Sequence, residues 1–438
     1  MISVDLRSRD DVMEVDADPA APFEFAAWDE SAIPQLTSRR VKRNRFLWAV
    51  NLLLLTFLIA WYLVSGGGAS HHAASDVVHS APIVPPAPNL DPDWDGDGRA
   101  VTLAFGGDVH FPAGTNLGRR LAADPATALG PTVPALLSGA NLSMVNLESA
   151  LTDGSCPEPQ QKQYVYDAPA SAITAFRNAQ VTLITETNNH GEDCGPGGLQ
   201  MAIQARTDSG YPILGIGQNI TQAFTPYRTT INGERIVVIA ATQVIDSDLQ
   251  EAWTATASQP GLASAYDVSA LVSAVEAARR EADTVIVYLH WGTELQGCPN
   301  PLQEPLAQLL VRAGADIVVG THAHVLLGGG YLGQAYVDYG LGNFAFYDNS
   351  PPENESGSLL ITVTGRHIDG VTWRPAVIQD DLPQPLTGEA ATRAMAAWNQ
   401  ARSCTDVTAA PSRPIASPAT ETAPPTSAEE QELSQDDD

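Results

Sequence analysis

The stretch ADIVVGTHAHVLLGGG, residues 315–330, decides how the rest of the chain is read. An apolar run, Ile317, Val318 and Val319, has the make-up of a buried strand and stops at Gly320. His322 and His324 follow with one residue between them. Open α/β sheets place their ligands at the C-terminal ends of their strands, so a strand that ends in imidazoles marks a candidate site. The same punctuation recurs along the chain. After VTLAF stands GGDVH, with Asp108 and His110. After LSMV stands NLES, with Asn146 and Glu148. After VTLIT stands ETNNHGED, with Asn188, Asn189, His190 and Asp193. After TVIVYL stands HWGTE, with His290 and Glu294.

Working outward, short apolar runs alternate with amphipathic segments. DVSALVSAVEAARREAD sets Val268, Leu271, Val272 and Val275 on one helical face, and PLAQLLVRAGA behaves likewise. Strands separated by helices imply βαβ units, and near-continuous apolar strands imply sheets covered on both faces. The later runs SLLITVTG and VTWRPAVI have no helix between them and read as an antiparallel pair. The expectation is an α/β sandwich with mixed β-sheets over residues 99–404, with the polar strand ends converging on one edge.

A lone histidine at a strand end is more often structural than functional, and Asp108 alone could cap a helix. Five clusters at strand ends are another matter. The mix of Asp, Glu, Asn and His suits Zn, Mn or Fe better than Ca or Mg, which prefer all-oxygen surroundings. One ion is saturated by about four ligands. Here there are more, which points to two divalent metal ions sharing a bridging group. Such pairs hydrolyse phosphoesters, or amides when they address a carbonyl. The chain has no P-loop, no G-x-S-x-G elbow and no H-E-x-x-H helix, which excludes the commonest ATP-driven, serine-hydrolase and zincin chemistries.

The 438 residues carry a formal net charge of −28, which argues against nucleic acid as a partner. Residues 46–64 are apolar apart from Asn51 and Thr56, and a collar of Arg39, Arg40, Lys42, Arg43 and Arg45 precedes them. That pattern predicts one transmembrane helix, a lipid-bilayer anchor, with residues 1–45 as a disordered cytoplasmic segment and the folded domain outside the cell membrane. Residues 65–98 read as a Gly/Pro/Ala-rich linker, whose DPDWDGDG lacks the closing carboxylate of a calcium loop. Residues 405–438 read as a disordered acidic tail. Cys156, Cys194, Cys298 and Cys404 would then meet an oxidising compartment and form two disulfides, with three connectivities open. Three of them closely follow ligand loops, so the bridges are expected to brace the rim of the site.

The motifs AFGGDVH, VNLESAL, TNNHGEDCGPGGL, YLHWGTE, GADIVVGTHAHVLLG and YGLGNFAFY resemble, in order and spacing, those of the poly-γ-glutamate capsule-synthesis CapA family. That family resembles the calcineurin-like metallophosphoesterases in fold. The resemblance implies that Asp108, His110 and His324 hold a first metal, that Asn189, His290 and His322 hold a second, and that His190 acts as general acid. Asn146, Asn188, Asp193, Glu294 and Asn343 would lie around substrate and ligands. The phosphoesterases place a bridging Asp where this chain has Glu148, a longer carboxylate that can bridge or act as a base. By the same resemblance the partners are an envelope polymer such as poly-γ-glutamate and other capsule-synthesis membrane proteins. The alternative role is a non-catalytic accessory subunit whose metal site is structural or vestigial.

Overall fold

The protein is seen here as a computed structural model, which describes Gly96 and residues 98–412. The expected membrane helix, residues 46–64, lies outside the described residues, as do the N-terminal segment, nearly all of the linker and the tail beyond residue 412. Among the described residues no helix is long and apolar enough to cross a membrane.

The chain first lays down β1 (Val101–Val109), β2 (Leu142–Leu147), β3 (Leu183–Thr185) and β4 (Ile213–Leu214). It then builds a second sheet from β5 (Tyr227–Ile231), β6 (Glu234–Thr242), β7 (Thr284–Trp291), β8 (Ile317–His322), β9 (Gly329–Leu332) and β10 (Ala335–Asp338). Finally β11 (Asn343–Ala345), β12 (Glu355–Thr364), β13 (His367–Gln379) and β14 (Leu382–Pro385) return to the first sheet. Its order is β14-β13-β12-β1-β2-β3-β4, with β11 beside the end of β1. The second sheet runs β9-β10-β8-β7-β6-β5. Both sheets are mixed. β1 is parallel to β2 and antiparallel to β12, whereas β6, β7, β8 and β10 are parallel between antiparallel edges.

Strand periodicity explains why two sheets stack. Leu103 and Phe105 of β1 face inward with Met144 and Leu183, against Val238, Ile286, Tyr288 and Val319 of the second sheet. Ala104 points the other way, under α1 (Asn116–Ala123), α2 (Thr132–Leu137), α3 (Ala172–Asn178) and α4 (Gly195–Ser209). On the far side α5 (Val268–Arg279) and α6 (Gln303–Ala313) cover the second sheet with Leu271, Val275, Leu306 and Leu310. Asp267 caps α5, its carboxylate accepting from Ser269 N at 3.0 Å. Each sheet is therefore buried on both faces, which is why its central strands are near-continuously apolar. A last helix, α7 (Gly388–Ala401), stacks Trp398 on Trp373 of β13, and the chain beyond it still packs: Val407 is buried and Thr408 N donates to Tyr331 O.

Two glycines allow close approaches within each sheet near its strand ends. A Cβ on Gly107 would lie 1.8 Å from Gly342 O, so the end of β1 passes against the turn before β11 only without a side chain. A Cβ on Gly320 would lie 2.2 Å from Trp291 Nε1. The glycine that interrupts the apolar run of β8 is where the strand passes the indole.

Candidate metal centre

The polar strand ends do converge, drawn from both sheets. Register sets Asn343, Asp108 and Asn146 in one row across β11, β1 and β2. Asp108 Oδ1 accepts from Asn146 Nδ2 at 2.8 Å, and its Oδ2 accepts from His322 N at 3.0 Å across the gap between the sheets. Asn146 Oδ1 in turn accepts from Asn188 Nδ2 at 3.0 Å, and Asn188 Oδ1 accepts from His190 N at 2.9 Å. A chain of carboxamides thus carries the position of Asp108 to the loop with Asn189 and His190. On the second sheet His290 and Thr321 are register neighbours, and their side chains meet at 3.0 Å.

Glu148 stands where these elements meet. One ligand atom from each of Glu148, His322 and His324 lies within 4.8 Å of the others. His290 Nε2 is 3.6 Å from Glu148 Oε1 and 2.7 Å from Asn189 Oδ1. His324 Nε2 is also 3.6 Å from Glu148 Oε1, and its Nδ1 bonds Asn343 Oδ1 at 2.8 Å. His322 and His324 both have left-handed backbones, with φ of 94° and 57°. That bend turns two neighbouring imidazoles onto one carboxylate.

The electrostatics of the cluster are those of charges removed from water. Burial pushes Glu148 well above the usual carboxylate range, helped by nearby Asp108, and raises Asp108 as well. Burial also lowers His110, His290 and His322 well below an ordinary imidazole. Both oxygens of Glu148, both ring nitrogens of His110 and Nδ1 of His322 are buried with no hydrogen-bond partner. Leaving so many polar atoms unsatisfied costs about 1–3 kcal/mol each. A donor set of neutral imidazoles, carboxylates and a carboxamide around such vacant lone pairs fits a divalent metal such as Zn, Mn or Fe. His110 sits apart from the tight group, stacked on Phe346 at 3.7 Å between ring centroids and beside Tyr166 and Tyr347.

His190 holds a different position. Its Nδ1 meets Asp193 Oδ2 at 2.5 Å, and its ring lies 4.2 Å from that of Tyr166. Together with Asn189 it lines a cleft of about 440 Å³ whose rim includes Lys162, Tyr164, Asp246, Asp248 and Glu294. Glu294 is exposed on that rim and does not join the buried group. Cys156 is bridged to Cys194, directly behind the His190 loop, and Cys298 to Cys404. The first bridge braces the site's rim as the spacing of the cysteines suggested. Sequence reading missed Thr321, Lys162, Tyr166 and Phe346. Thr321 was findable as the residue between Gly320 and His322. Lys162 and Tyr166 sit in a loop, QQKQYVYD, with no periodicity to mark them.

Fold and site together define a two-sheet α/β sandwich with a candidate divalent-metal centre at its strand ends. Residues 102–348 match the model of the bacterial capsule synthesis protein family PGA_cap, and the chain belongs to that family. It is 30% identical over 240 residues to the capsule biosynthesis protein CapA of Bacillus anthracis, covering 54% of this chain and 57% of that one. It is 28% identical over 242 residues to the PGA biosynthesis protein CapA of Bacillus subtilis, covering 55% and 62%. The chain thus spans less than two thirds of the length of either relative. Among solved structures, it resembles the sulfate thiohydrolase SoxB of Thermus thermophilus in complex with glycerol, at 14% identity and a TM-score of 0.38. That likeness covers 68% of this chain and 60% of the other.

Proposed function

We propose that this protein is a membrane-anchored, outward-facing metal-dependent hydrolase that acts in making or attaching poly-γ-glutamate or a related envelope polymer. The observation that carries the reading is the buried, unsatisfied group of Glu148, His322 and His324 beside Asn189 and His290, next to a cleft that ends at His190. Asp108, His110, Glu148, Asn189, His290, His322 and His324 would hold two divalent ions. Bound there, such ions supply Lewis acidity toward a phosphoryl or carbonyl oxygen and lower the pKa of water. His190, oriented by Asp193 at Nδ1, offers its other nitrogen to the cleft and would deliver the proton to a leaving group. Asn146 and Asn188 hold the ligand loops in register. Two disulfides support a domain that lies outside the cytoplasm, beyond the anchor read at residues 46–64.

The test uses the full chain in detergent, loaded with Mn or Zn, on a chromogenic phosphodiester and on γ-glutamyl peptides. Turnover that chelation abolishes is expected. His190→Ala should keep the metal and lose about 10²–10⁴-fold in rate, since a general acid contributes that much and coordinates nothing. Protein that takes up none of Zn, Mn or Fe would sink the assignment.

A further inference from the structure

Residues 153–166 form a strap at the site, and its attachments converge on one residue, Asp193. Gln160 N donates to Asp193 O at 2.9 Å, and Tyr166 N donates to Asp193 Oδ2 at 2.7 Å. Lys162 Nζ donates to Asp193 Oδ1 at 2.9 Å and to the main-chain carbonyl of Asn189. Its third partner is Asp246 Oδ2 at 3.3 Å, and the indole of Trp253 lies 5.1 Å beneath it. The side chain is only 9% exposed. Two of the ammonium's protons are committed to Asp193 and Asn189, and its charge is further paired with Asp246, so the protein's own carboxylates already compensate it.

We infer that Lys162 is a positioning residue, which locks Asp193 against His190 and fixes the backbone of Asn189, rather than a substrate-binding cation. This rests on the hydrolase reading above. The geometry carries it. Asp193 has one oxygen shared by His190 and Tyr166 N, so its other oxygen is the handle by which the carboxylate's rotation is set, and Lys162 holds that handle. The same ammonium pins Asn189, whose side chain meets His290 at 2.7 Å. One cation therefore fixes both the proton donor and a metal-ligand loop, and it is itself carried by a strap that the Cys156–Cys194 bridge ties to that loop.

The experiment compares the full-length protein with Lys162→Met and with Lys162→Cys. All four native cysteines are in disulfides, so the introduced thiol is the one that alkylates. Reaction with 2-bromoethylamine restores an ammonium at nearly the original length, whereas iodoacetamide leaves a neutral group, and mass measurement confirms each product. Lys162→Met should lower kcat about ten- to a hundredfold, the usual penalty of misplacing a reacting group by about an ångström. With Zn or Mn held saturating, KM and bound metal should stay within about twofold. Aminoethylation should recover most of kcat and carbamidomethylation should not. A raised KM with kcat retained would make Lys162 a substrate contact and overturn the inference. Hydrogen exchange supplies a reading independent of turnover. The peptide spanning residues 186–194 should exchange faster in Lys162→Met and recover after aminoethylation, while β1 is unaffected. Unchanged exchange in that peptide overturns the positioning role even where wild-type protein hydrolyses nothing, an outcome that would count separately against the hydrolase reading.

Discussion

The two ends of β8 meet buried carboxylates in opposite ways. At the N-terminal end of β8, Asp316 Oδ2 accepts from Arg279 at 2.5 Å and from Val285 N at 2.8 Å, and its Oδ1 accepts from Arg366 at 2.9 Å. At the C-terminal end of the same strand, His322 meets Glu148, and the carboxylate has no donor at all. Both carboxylates are buried. A third, Asp338 on β10, follows another course: burial pushes it up to about 7, so that a proton neutralises it. Around the two sheets stand an ion-paired carboxyl, a protonated one and, at Glu148, one whose oxygens have no hydrogen-bond partner. Only the last leaves its desolvation uncompensated by the protein, and that imbalance marks where a ligand belongs.

The largest expected effect lies at the paired end. Asp316→Ala leaves Arg279 buried without its counter-ion and should cost about 3–5 kcal/mol in chemical denaturation. Glu148→Gln in metal-free protein should leave stability unchanged or raise it, because it replaces a carboxyl whose two oxygens have no hydrogen-bond partner and whose ionised form burial disfavours. Equal losses from the two variants would erase the distinction between the ends. Metal should restore symmetry. Zn or Mn at about a hundredfold excess over its Kd should stabilise wild-type protein by about 2.7 kcal/mol, and the shift should vanish in His322→Ala. Thermal melts with and without chelator check this, and an undiminished shift in the variant would place the metal elsewhere.

The smallest effect concerns Asp338, whose folded-state value lies above the ordinary 3.8. Its contribution to stability is full below about pH 4 and is lost as pH rises through about 7. Between about pH 5 and about pH 8 the wild type should lose on the order of 2 kcal/mol more than Asp338→Asn. Denaturation midpoints at the two pH values decide it, and parallel behaviour would mean that the carboxyl finds a partner instead of a proton.

The candidate site was more legible in the sequence than the sheets that carry it. Asp108, Glu148, His290 and His322 lie at or just after apolar runs, so local pattern sufficed to single them out, and the structure brings Glu148, His322 and His324 together. Which strands share a sheet is a long-range property. Asp108 and Asn146 are register neighbours, but nothing local says that β8 belongs to the other sheet or that His322 N reaches Asp108 across the gap. The family resemblance supplied roles that spacing alone could not. Lys162 was invisible for a different reason. Its partners, Asn189, Asp193 and Asp246, lie on two separate loops, and a lysine in a polar, aperiodic segment reads as solvated surface. The helix at α5 was readable from its face, of which the structure buries Leu271 and Val275, because the 3.6-residue period is a local signal.

The left-handed backbones of His322 and His324 have an evolutionary consequence. A non-glycine residue in that region carries a penalty of about 1–3 kcal/mol that glycine does not. Selection for stability alone would replace either histidine with glycine, keep the loop's path and discard the imidazole. The segment GTHAH therefore holds two imidazoles in a backbone conformation that glycine would adopt at less cost. Glycine at either position would keep the loop's path and remove one imidazole from the group around Glu148.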